Sequence, residues 1–162
     1  MNELTIVAYC ADFRKQVVDL AIRAWAPIFP LTRRAVPSFV YDSFWPQGWE
    51  VRQAAEVSAL LDTQPETVWL AFQGGVLAGF VGISIHPTDQ MGEVSIVAVS
   101  PDHQRRGIGK ALMEFAEQQV RGKGMKMLMV ETVDDSGHEA ARRTYESRGY
   151  ERWPVARYFK KL

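Results

Sequence analysis

The spacing of apolar residues divides the chain into strands and helices. Helical spacing occurs in residues 12–24 and 48–61, and in a third segment whose apolar face is Ile108, Leu112, Phe115, Ala116 and Val120. Apolar runs predict strands at residues 4–8, 68–72, 76–85, 93–99 and 125–133. A further helix is predicted from Ser136 to the residues before Gly149, followed by one or two strands with Pro154 between them.

The order of these elements indicates the fold class. The turn Gln73-Gly74-Gly75 joins two of the apolar runs into a β-hairpin. Strands and helices mixed in this order predict a mixed α/β sheet covered by helices. Ser136 and Glu139 have the spacing of a capping box, which would open the last helix. Residues 25–49 are rich in aromatic residues and prolines and are expected to form an irregular segment between two helices.

Composition limits the classes of function. The 162 residues suit a single domain, 1–162, which buries about two-thirds of the surface that its unfolded chain exposes. The chain has 19 basic and 19 acidic residues, so no global field favours nucleic acid or an anionic membrane as partner. The polar start Met1-Asn2-Glu3 is unlike a signal peptide, and no apolar stretch is as long as a membrane span, which predicts a soluble cytoplasmic protein. The single cysteine, Cys10, is interpreted as structural.

Residues 97–112 carry the strongest functional signal. An apolar, β-branched strand stops at a Ser-Pro pair, a polar basic loop follows, and a helix begins at Ile108. The first N–H groups of a helix lack intrahelical partners and the helix dipole adds about half a positive charge, so an anion is stabilised there. Two glycines, which let backbone amides approach phosphate oxygens, and two basic side chains strengthen this site: Arg105, Arg106, Gly107 and Gly109.

Two familiar phosphate-binding motifs do not fit this loop. A P-loop requires Ser or Thr after its Gly-Lys pair, and Gly109-Lys110 is followed by Ala111. A dinucleotide fingerprint requires glycine or alanine at the position of Leu112. What is left is the run Gln104-Arg105-Arg106-Gly107-Ile108-Gly109 after a strand ending in Val-x-Val-x-Pro. This pattern resembles the pyrophosphate loop of the GNAT superfamily of acetyl-CoA-dependent N-acetyltransferases.

The flanking segments support the resemblance, which covers roughly residues 66–155. The hairpin lies upstream, and downstream Ala141 and Tyr145 precede the pair Gly149-Tyr150, as in the superfamily segment that places a tyrosine near the cofactor sulfur. The resemblance implies a GNAT-like fold. Its central sheet would be twisted, mostly antiparallel, splayed at the cofactor strands and flanked by about four helices.

The resemblance also implies acetyl-CoA (CoA) as cosubstrate and no metal ion. The pantetheine arm would lie between strands 93–99 and 125–133 and pair with the backbone of the first, and an amide after a bulge would face the thioester oxygen. His138 stands where the family often has Asn, and Arg142 receives no certain role. The residues expected to contact the cofactor are Val97, Ala98, Val99, Gln104, Arg105, Arg106, Gly107, Ile108, Gly109, Lys110, His138, Ala141 and Tyr145.

Two residues are predicted to catalyse acyl transfer. Tyr145 matches the family's general acid, whose hydroxyl donates to the departing sulfur. An alkylamine, with a pKa of about 10.4, must lose a proton before it attacks, and Glu93 is the first candidate for the base. Before any bulge, Glu93 shares a face of its strand with Ser95 and Val97, which directs it toward the acceptor. The other candidates for the base are His86, Asp89 and Glu131.

The acceptor is the least defined part of the interpretation. The aromatic residues of segment 25–49 could line a pocket for an ammonium group, cover the sheet or form a dimer surface, and Asp42 and Glu50 are the nearest carboxylates that could bind an amine. We expect acetyl transfer to a primary amine of a small molecule, directly and within a ternary complex. A protein or peptide N-acetyltransferase and a non-catalytic acyl-CoA-binding sensor are the alternatives. Homodimers are common in the resembling family.

Overall fold

A single five-stranded sheet organises the computed structural model, which describes residues 3–162; Met1 and Asn2 of the polar start lie outside the described residues. The strands are β1 (Leu4–Ala8), β2 (Val68–Gln73), β3 (Val76–His86), β4 (Met91–Val99) and β5 (Met127–Val130). Their order in the sheet follows their order in the sequence, and only β4 and β5 run parallel. The prediction of a mixed, mostly antiparallel sheet is confirmed.

Helices cover both faces of the sheet. Those within the described residues are α1 (Arg14–Trp25), α2 (Phe29–Ala35), α3 (Ser38–Phe44), α4 (Trp49–Thr63), α5 (Ile108–Gly122) and α6 (Glu139–Ser147). Leu20 of α1 and Val57 of α4 are buried against one face, and Leu112 of α5 is buried against the other. No helix within residues 3–162 combines the length and the apolar character that crossing a bilayer requires.

Two glycines allow α5 to lie directly on the sheet. A Cβ atom at Gly79 would come within 3.0 Å of the Leu112 side chain, and one at Gly92 would overlap the side chain of Val120. Any larger residue at either position would therefore push the helix away from β3 and β4. The close approach fixes the first residue of α5, the buried Ile108, beside the end of β4.

The aromatic segment, residues 25–49, is more regular than the sequence analysis predicts. It forms two short helices, α2 and α3, so within residues 3–162 six helices flank the sheet instead of about four. The rings of Phe29 and Trp49 stack at 4.4 Å, and Tyr41 packs against Trp45 at 4.6 Å. These contacts bury Phe29 and Tyr41, and this local hydrophobic core stabilises helices too short to be stable alone.

The prediction that Ser136 and Glu139 form a capping box is also wrong. Asp135, not Ser136, caps the short 3₁₀ turn that leads into α6, because its carboxylate accepts the backbone N–H of His138 at 3.0 Å. Glu139 is paired with Arg143 one turn along α6. The cap lies one residue earlier than predicted because Asp135 is buried and bonded to groups outside the turn.

The strands predicted after α6 are absent from the described residues. Residues 151–162 form neither helix nor strand and are exposed throughout. An apolar run forms a strand only when its backbone pairs with that of a neighbouring strand. In this chain Arg152 is bound to Glu146 at 3.0 Å, and no edge receives the residues that follow. The strand predicted at 125–133 is shorter as well, and only β5 forms there.

Candidate functional site

The candidate site opens where β4 and β5 separate. The two strands pair only from Met91 with Met127 to Val94 with Val130. The rest of β4 pairs with β3 alone, so the backbone on its other edge faces a gap within the described residues. Val97, Ala98 and Val99 lie on this stretch. The gap corresponds to the predicted splay of the sheet.

A β-bulge at Ser95 marks the start of the gap. In the pairing with β3, Gly82 lies opposite Ile96 and the next residue, Ile83, lies opposite Val94, so Ser95 has no partner residue. The extra residue reverses the alternation of side chains along the strand. After it, Val97 packs in the α5 cluster and Ile96 in the cluster beneath α1 and α4.

Glu93 lies on the α4 face of the sheet, where its carboxylate contacts His86. Glu93 Oε2 is 2.7 Å from His86 Nε2, and both side chains are partly exposed. Glu93 pairs with Ser84 in the sheet, and Ser84 shares a hydrogen bond of 2.7 Å with Ser95. The interpretation that Val97 shares the face of Glu93 is therefore wrong, because the bulge lies between them.

The space beside Ser95 is a small cavity between β4 and α4. Its volume is about 220 Å³, and it is lined by Gln53, Glu56, Val57, Leu60, Ser95 and Ile96. Glu93 and Ser95 lie on this same face of the sheet. The cavity, with the Glu93 and His86 pair on the same face, could receive a small polar molecule.

The loop after β4 leads into α5 through two residues with positive φ. Arg105 has φ of +60° and Gly107, which precedes the first helical residue, has φ of +81°. Ala111 is the first residue of α5 whose N–H donates to a carbonyl of the turn before it, that of Gly107 at 3.0 Å. The N–H groups of Ile108, Gly109 and Lys110 precede it, so they are available to an anion.

Contacts with β4 hold this loop at the open end of the gap. The side-chain amide of Gln104 donates to the carbonyl oxygen of Val99 at 3.4 Å. A Cβ atom at Gly109 would lie 3.6 Å from the Val99 side chain, so α5 begins in contact with the strand. Arg105 and Arg106 are exposed, and neither forms an ion pair with another residue that the structure describes.

A groove between α5 and α6 continues from the loop. Its volume is about 480 Å³, and it is lined by Lys110, Glu114, Thr144, Ser147 and Arg148. Arg148 fixes the distance between the two helices because its guanidinium donates to Glu114 and to Glu117, each at 2.9 Å. The groove has room for a phosphorylated ligand, and Lys110, in the first turn of α5, lines it.

Tyr145 lies on α6, on the opposite face of the sheet from Glu93. It packs in the same cluster as Val97 and Val99, and its ring is 5.9 Å from that of Tyr150. Burial raises the pKa of the Tyr145 hydroxyl, which therefore stays protonated at neutral pH. Glu93 and Tyr145, the two candidate catalytic residues, thus lie on opposite faces of the sheet.

A buried polar cluster that the sequence analysis missed holds the start of α6. Asp135 accepts hydrogen bonds from Thr32 Oγ1 at 2.8 Å and from the backbone N–H of His138, and its Oδ1 is 2.6 Å from His138 Nδ1. Burial raises the pKa of Asp135, but the hydrogen bonds from His138 and Thr32 outweigh it, and the pKa is lower than usual. His138 thus has one ring nitrogen at Asp135 and one left for a ligand.

Arg142 completes the same region. Its guanidinium donates to the carbonyl oxygens of Val133 at 2.6 Å and of Asp135 at 2.7 Å, so it orders the loop between β5 and α6. The sequence offered one signal for this cluster, an Asp three residues before a His at a helix start. Nothing in the sequence indicated that Thr32, more than a hundred positions earlier, would bind Asp135.

Two aromatic rings of α3, those of Tyr41 and Phe44, are in contact with arginine side chains. The guanidinium of Arg33 lies 5.3 Å from the centre of the Tyr41 ring, and that of Arg52 lies 5.3 Å from the centre of the Phe44 ring. These cation–π contacts resemble those that an ammonium ligand would make. In both contacts the ring is covered by an arginine of the chain, so these two rings do not form an open cage for an ammonium group.

Except for Glu131, which follows the last pair of β4 with β5 where the strands part, the other candidates from the sequence lie apart from the gap. Asp89 is exposed in the turn between β3 and β4, and Glu131 is exposed directly after β5. Asp42 and Glu50 are exposed on α3 and α4. Cys10 follows β1, at the opposite edge of the sheet.

Together these features define a class of α/β protein that binds a phosphorylated ligand between parted strands and a helix N-terminus. The model of the acetyltransferase (GNAT) family matches residues 37–150. The chain belongs to this family, and the resemblance seen in the sequence is confirmed.

Known relatives and structures agree with that assignment. The chain is 37% identical over 91 residues to mycothiol acetyltransferase from Thermomonospora curvata, a match that covers 56% of this chain and 30% of that protein. It spans about a third of the length of the first such relatives.

Solved structures with low sequence identity share the fold. The aminoglycoside N-acetyltransferase AAC(6')-Iy in complex with CoA has a TM-score of 0.67 at 14% identity, covering 99% of this chain and 96% of that one. The ribosomal-protein-S18-alanine N-acetyltransferase from Escherichia coli has a TM-score of 0.61 at 23% identity, covering 91% and 77%.

Proposed function

We propose that this protein transfers an acetyl group from acetyl-CoA to a primary amine of a small molecule. The observation that carries the proposal is the separation of β4 from β5 beside the N-terminus of α5. One end of the gap offers free N–H groups to a pyrophosphate, and its side offers the open backbone edge of β4 to the amides of a pantetheine arm.

The residues present fit acetyl-CoA. The positive φ at Arg105 and Gly107 directs successive backbone N–H groups into one concave loop, which suits phosphate oxygens. Arg105, Arg106 and Lys110 supply positive charge near that loop, and the groove between α5 and α6 has the volume for the rest of a nucleotide. Val97 and Val99 would hold the arm through backbone groups, and Ala141 and His138 of the α6 region would contact it.

Acetyl-CoA supplies an activated thioester, and the protein's residues supply proton transfer and charge stabilisation. Tyr145, kept protonated by burial, would donate its hydroxyl proton to the departing sulfur. Backbone amides of β4 that follow the bulge at Ser95 and point away from β3 would stabilise the negative charge that develops on the thioester oxygen.

Glu93 would remove the proton from the acceptor amine. Only its Oε2 atom contacts His86, so Oε1 is left to accept a proton directly or through water. His86 would orient the carboxylate toward the acceptor side. Because Glu93 and Tyr145 lie on opposite faces of the sheet, acceptor and leaving group would separate in opposite directions, as a direct transfer within a ternary complex requires.

The acceptor side favours a small molecule. The cavity beside Ser95 holds about 220 Å³, which is below the range of about 300–1,000 Å³ typical of drug-sized ligands. Two of the matched proteins are named for small molecules, mycothiol and an aminoglycoside. A peptide N-terminus is the second candidate, because one protein of the same fold is named for a ribosomal protein.

Thermal unfolding with acetyl-CoA, CoA and ATP, followed by thiol release with a panel of amines, tests the proposal. At a hundred times Kd a ligand stabilises the folded state by about 2.7 kcal/mol, which raises Tm by about 5–11 °C in a chain of this size. We expect this shift with both CoA compounds but not with ATP. The panel of aminoglycosides, polyamines, amino acids and peptides should give the highest kcat/KM for a small amine.

Each other outcome has a defined meaning. Absence of a shift with either CoA compound would overturn the assignment of residues 104–109. A shift without thiol release from any amine would indicate an acyl-CoA-binding sensor, and fastest release with peptides would indicate a peptide N-acetyltransferase.

A further inference from the structure

The cavity between β4 and α4 has a closed apolar floor, formed by Val57, Leu60 and Ile96. Val57 is buried. Leu60 and Ile96 lie so close to Gly82 that a Cβ atom on this glycine would be 3.1 Å from the first side chain and 3.2 Å from the second. The cavity therefore cannot deepen toward β3, and this floor suits the hydrocarbon part of a ligand.

The size of the cavity limits the length of a ligand. Its volume of about 220 Å³ corresponds to about seven water-sized groups at about 30 Å³ each. Gln53 and Leu60, at the two ends of its wall on α4, are two helical turns apart, or about 10 Å. A chain of about five carbons with one polar group at each end fits both limits.

Glu56, which lines the cavity on the α4 side, is fixed by one carboxylate oxygen and open at the other. Arg52 Nε donates to Glu56 Oε1 at 2.7 Å. Arg52 is itself held on α3, because its Nη1 donates to the carbonyl oxygen of Phe44 at 3.1 Å and its guanidinium lies over the Phe44 ring. Oε2 of Glu56 accepts no hydrogen bond within residues 3–162. The carboxylate is thus oriented before a ligand arrives and keeps one acceptor for it.

The charges around the cavity favour a cation. Glu56 lines the cavity, Glu93 lies on the same face of the sheet, and Arg52 is the cation bonded to Glu56. Glu93 contacts a histidine rather than a lysine or arginine. These two carboxylates and one guanidinium sum to minus one, so a positive group is attracted to the cavity and a carboxylate is repelled.

We propose that the acceptor is an α,ω-diamine of about five carbons, and that Glu56 binds its distal ammonium group and so determines acceptor specificity. The inference rests on the proposed function, because it takes the amine deprotonated by Glu93 as one end of this molecule. The carbon chain lies on the apolar floor, and the distal ammonium donates to Glu56 Oε2.

The reaction then modifies one end of the diamine. The neutral amine attacks the thioester carbon, a C–N bond forms and the C–S bond breaks. Nitrogen loses one proton to Glu93, and sulfur gains one from Tyr145. The products are a mono-N-acetylated diamine and CoA.

Thiol release with three amines of five carbons tests the role of Glu56. The far end is an ammonium group in 1,5-diaminopentane, a hydroxyl in 5-amino-1-pentanol and a carboxylate in 5-aminopentanoate. We expect kcat/KM for the diamine to exceed that for the amino alcohol about 10-fold, beyond the factor of about two for its two equivalent amines. This is the lower end of the range for hydrogen bonds to charged groups, because the Glu56 side chain is 58% exposed. 5-Aminopentanoate should react most slowly.

Two variants separate a specific contact from a general charge effect. Glu56→Gln should lower the ratio of diamine to amino alcohol about 10-fold, and a ratio cancels the intrinsic reactivity of each amine. Glu50→Gln removes the same charge from the exposed first turn of α4 and should keep the wild-type ratio. In calorimetric titration of the CoA-saturated protein, Glu56→Gln should bind 1,5-diaminopentane about 10-fold more weakly than the wild type does.

The outcomes distinguish this inference from the proposed function. Equal ratios in the wild type and Glu56→Gln, equal losses in Glu56→Gln and Glu50→Gln, or a preference for the amino alcohol or the carboxylate would overturn the role of Glu56. Thiol release with other amines but with none of these three would overturn the diamine and leave acetyl transfer standing. Absence of release with every amine would contradict the proposed function itself.

Discussion

Replacing Asp135 by alanine should destabilise the protein more than any other single change near the site. The side chain of Asp135 is 2% exposed and bonds three groups: the hydroxyl of Thr32, and the backbone N–H and ring of His138. Each bond contributes about 1 kcal/mol net, and the deletion leaves buried donors without acceptors. We therefore expect a loss of about 3 kcal/mol, which lowers Tm by about 6–12 °C.

The same carboxylate should make stability depend on pH. Its pKa in the folded protein is lower than the ordinary value of about 3.9, so as pH falls the unfolded chain takes up the proton first. The stabilisation is complete above the unfolded pKa and is lost as pH falls through the folded pKa. Asp135→Asn, which keeps an acceptor but not the charge, should show a smaller loss of stability between neutral and acidic pH than the wild type.

Urea and thermal unfolding of Asp135→Ala and Asp134→Ala check this reasoning. Asp134 is the matched control because its side chain is 80% exposed, and its contacts with Arg142 at 3.4 Å and Arg152 at 3.9 Å are surface ion pairs. Such pairs contribute little, so Asp134→Ala should change stability by about 0.5 kcal/mol at most. An equally small change for Asp135→Ala would refute the conclusion that the buried cluster holds α6.

Three further substitutions test the chemistry. Gly107→Val should weaken acetyl-CoA binding at least about 10-fold in calorimetric titration, because phosphate must approach the backbone there, whereas Gly75→Val, at a φ of +78° in the β2–β3 turn, should bind normally. Unchanged affinity in Gly107→Val would remove the loop from the cofactor site. Tyr145→Phe should lower kcat about 100-fold and affect KM for acetyl-CoA less, and wild-type kinetics would exclude the general acid. Glu93→Gln should lower kcat/KM about 100-fold, whereas the exposed Glu131→Gln should not. Unchanged kcat/KM in Glu93→Gln would eliminate it as the base.

Much of the fold could be predicted because its signals are local. β1 was predicted with the bounds that the structure shows, and the hairpin of β2 and β3 to within one residue, because a glycine-containing turn separates two apolar runs. The start of α5 follows from an amphipathic helix directly after a basic, glycine-containing loop. Each of these signals lies within one continuous segment of the chain.

The remaining features depend on contacts between distant segments. The cap of α6 is at Asp135 rather than Ser136 because Thr32 supplies a second partner to Asp135. The bulge at Ser95 is defined only by the pairing of β4 with β3, so alternation alone placed Val97 on the wrong face. The same limit applies to residues 151–162, since an apolar pattern does not specify which edge, if any, it pairs with.

The bulge at Ser95 divides β4 into two halves that pair differently. Residues 91–94 pair on both sides, and residues 96–99 pair on one side only. A regular pleat through Ser95, without the bulge, would send Val97 and Val99 toward α4 instead of α5. With Ser95 in place, substitutions that reshape the acceptor side around Glu93 leave the packing register of residues 96–99 unchanged. Under the proposed function, a new acceptor preference can therefore arise in one half of the strand without disturbing the binding of a shared acyl donor in the other.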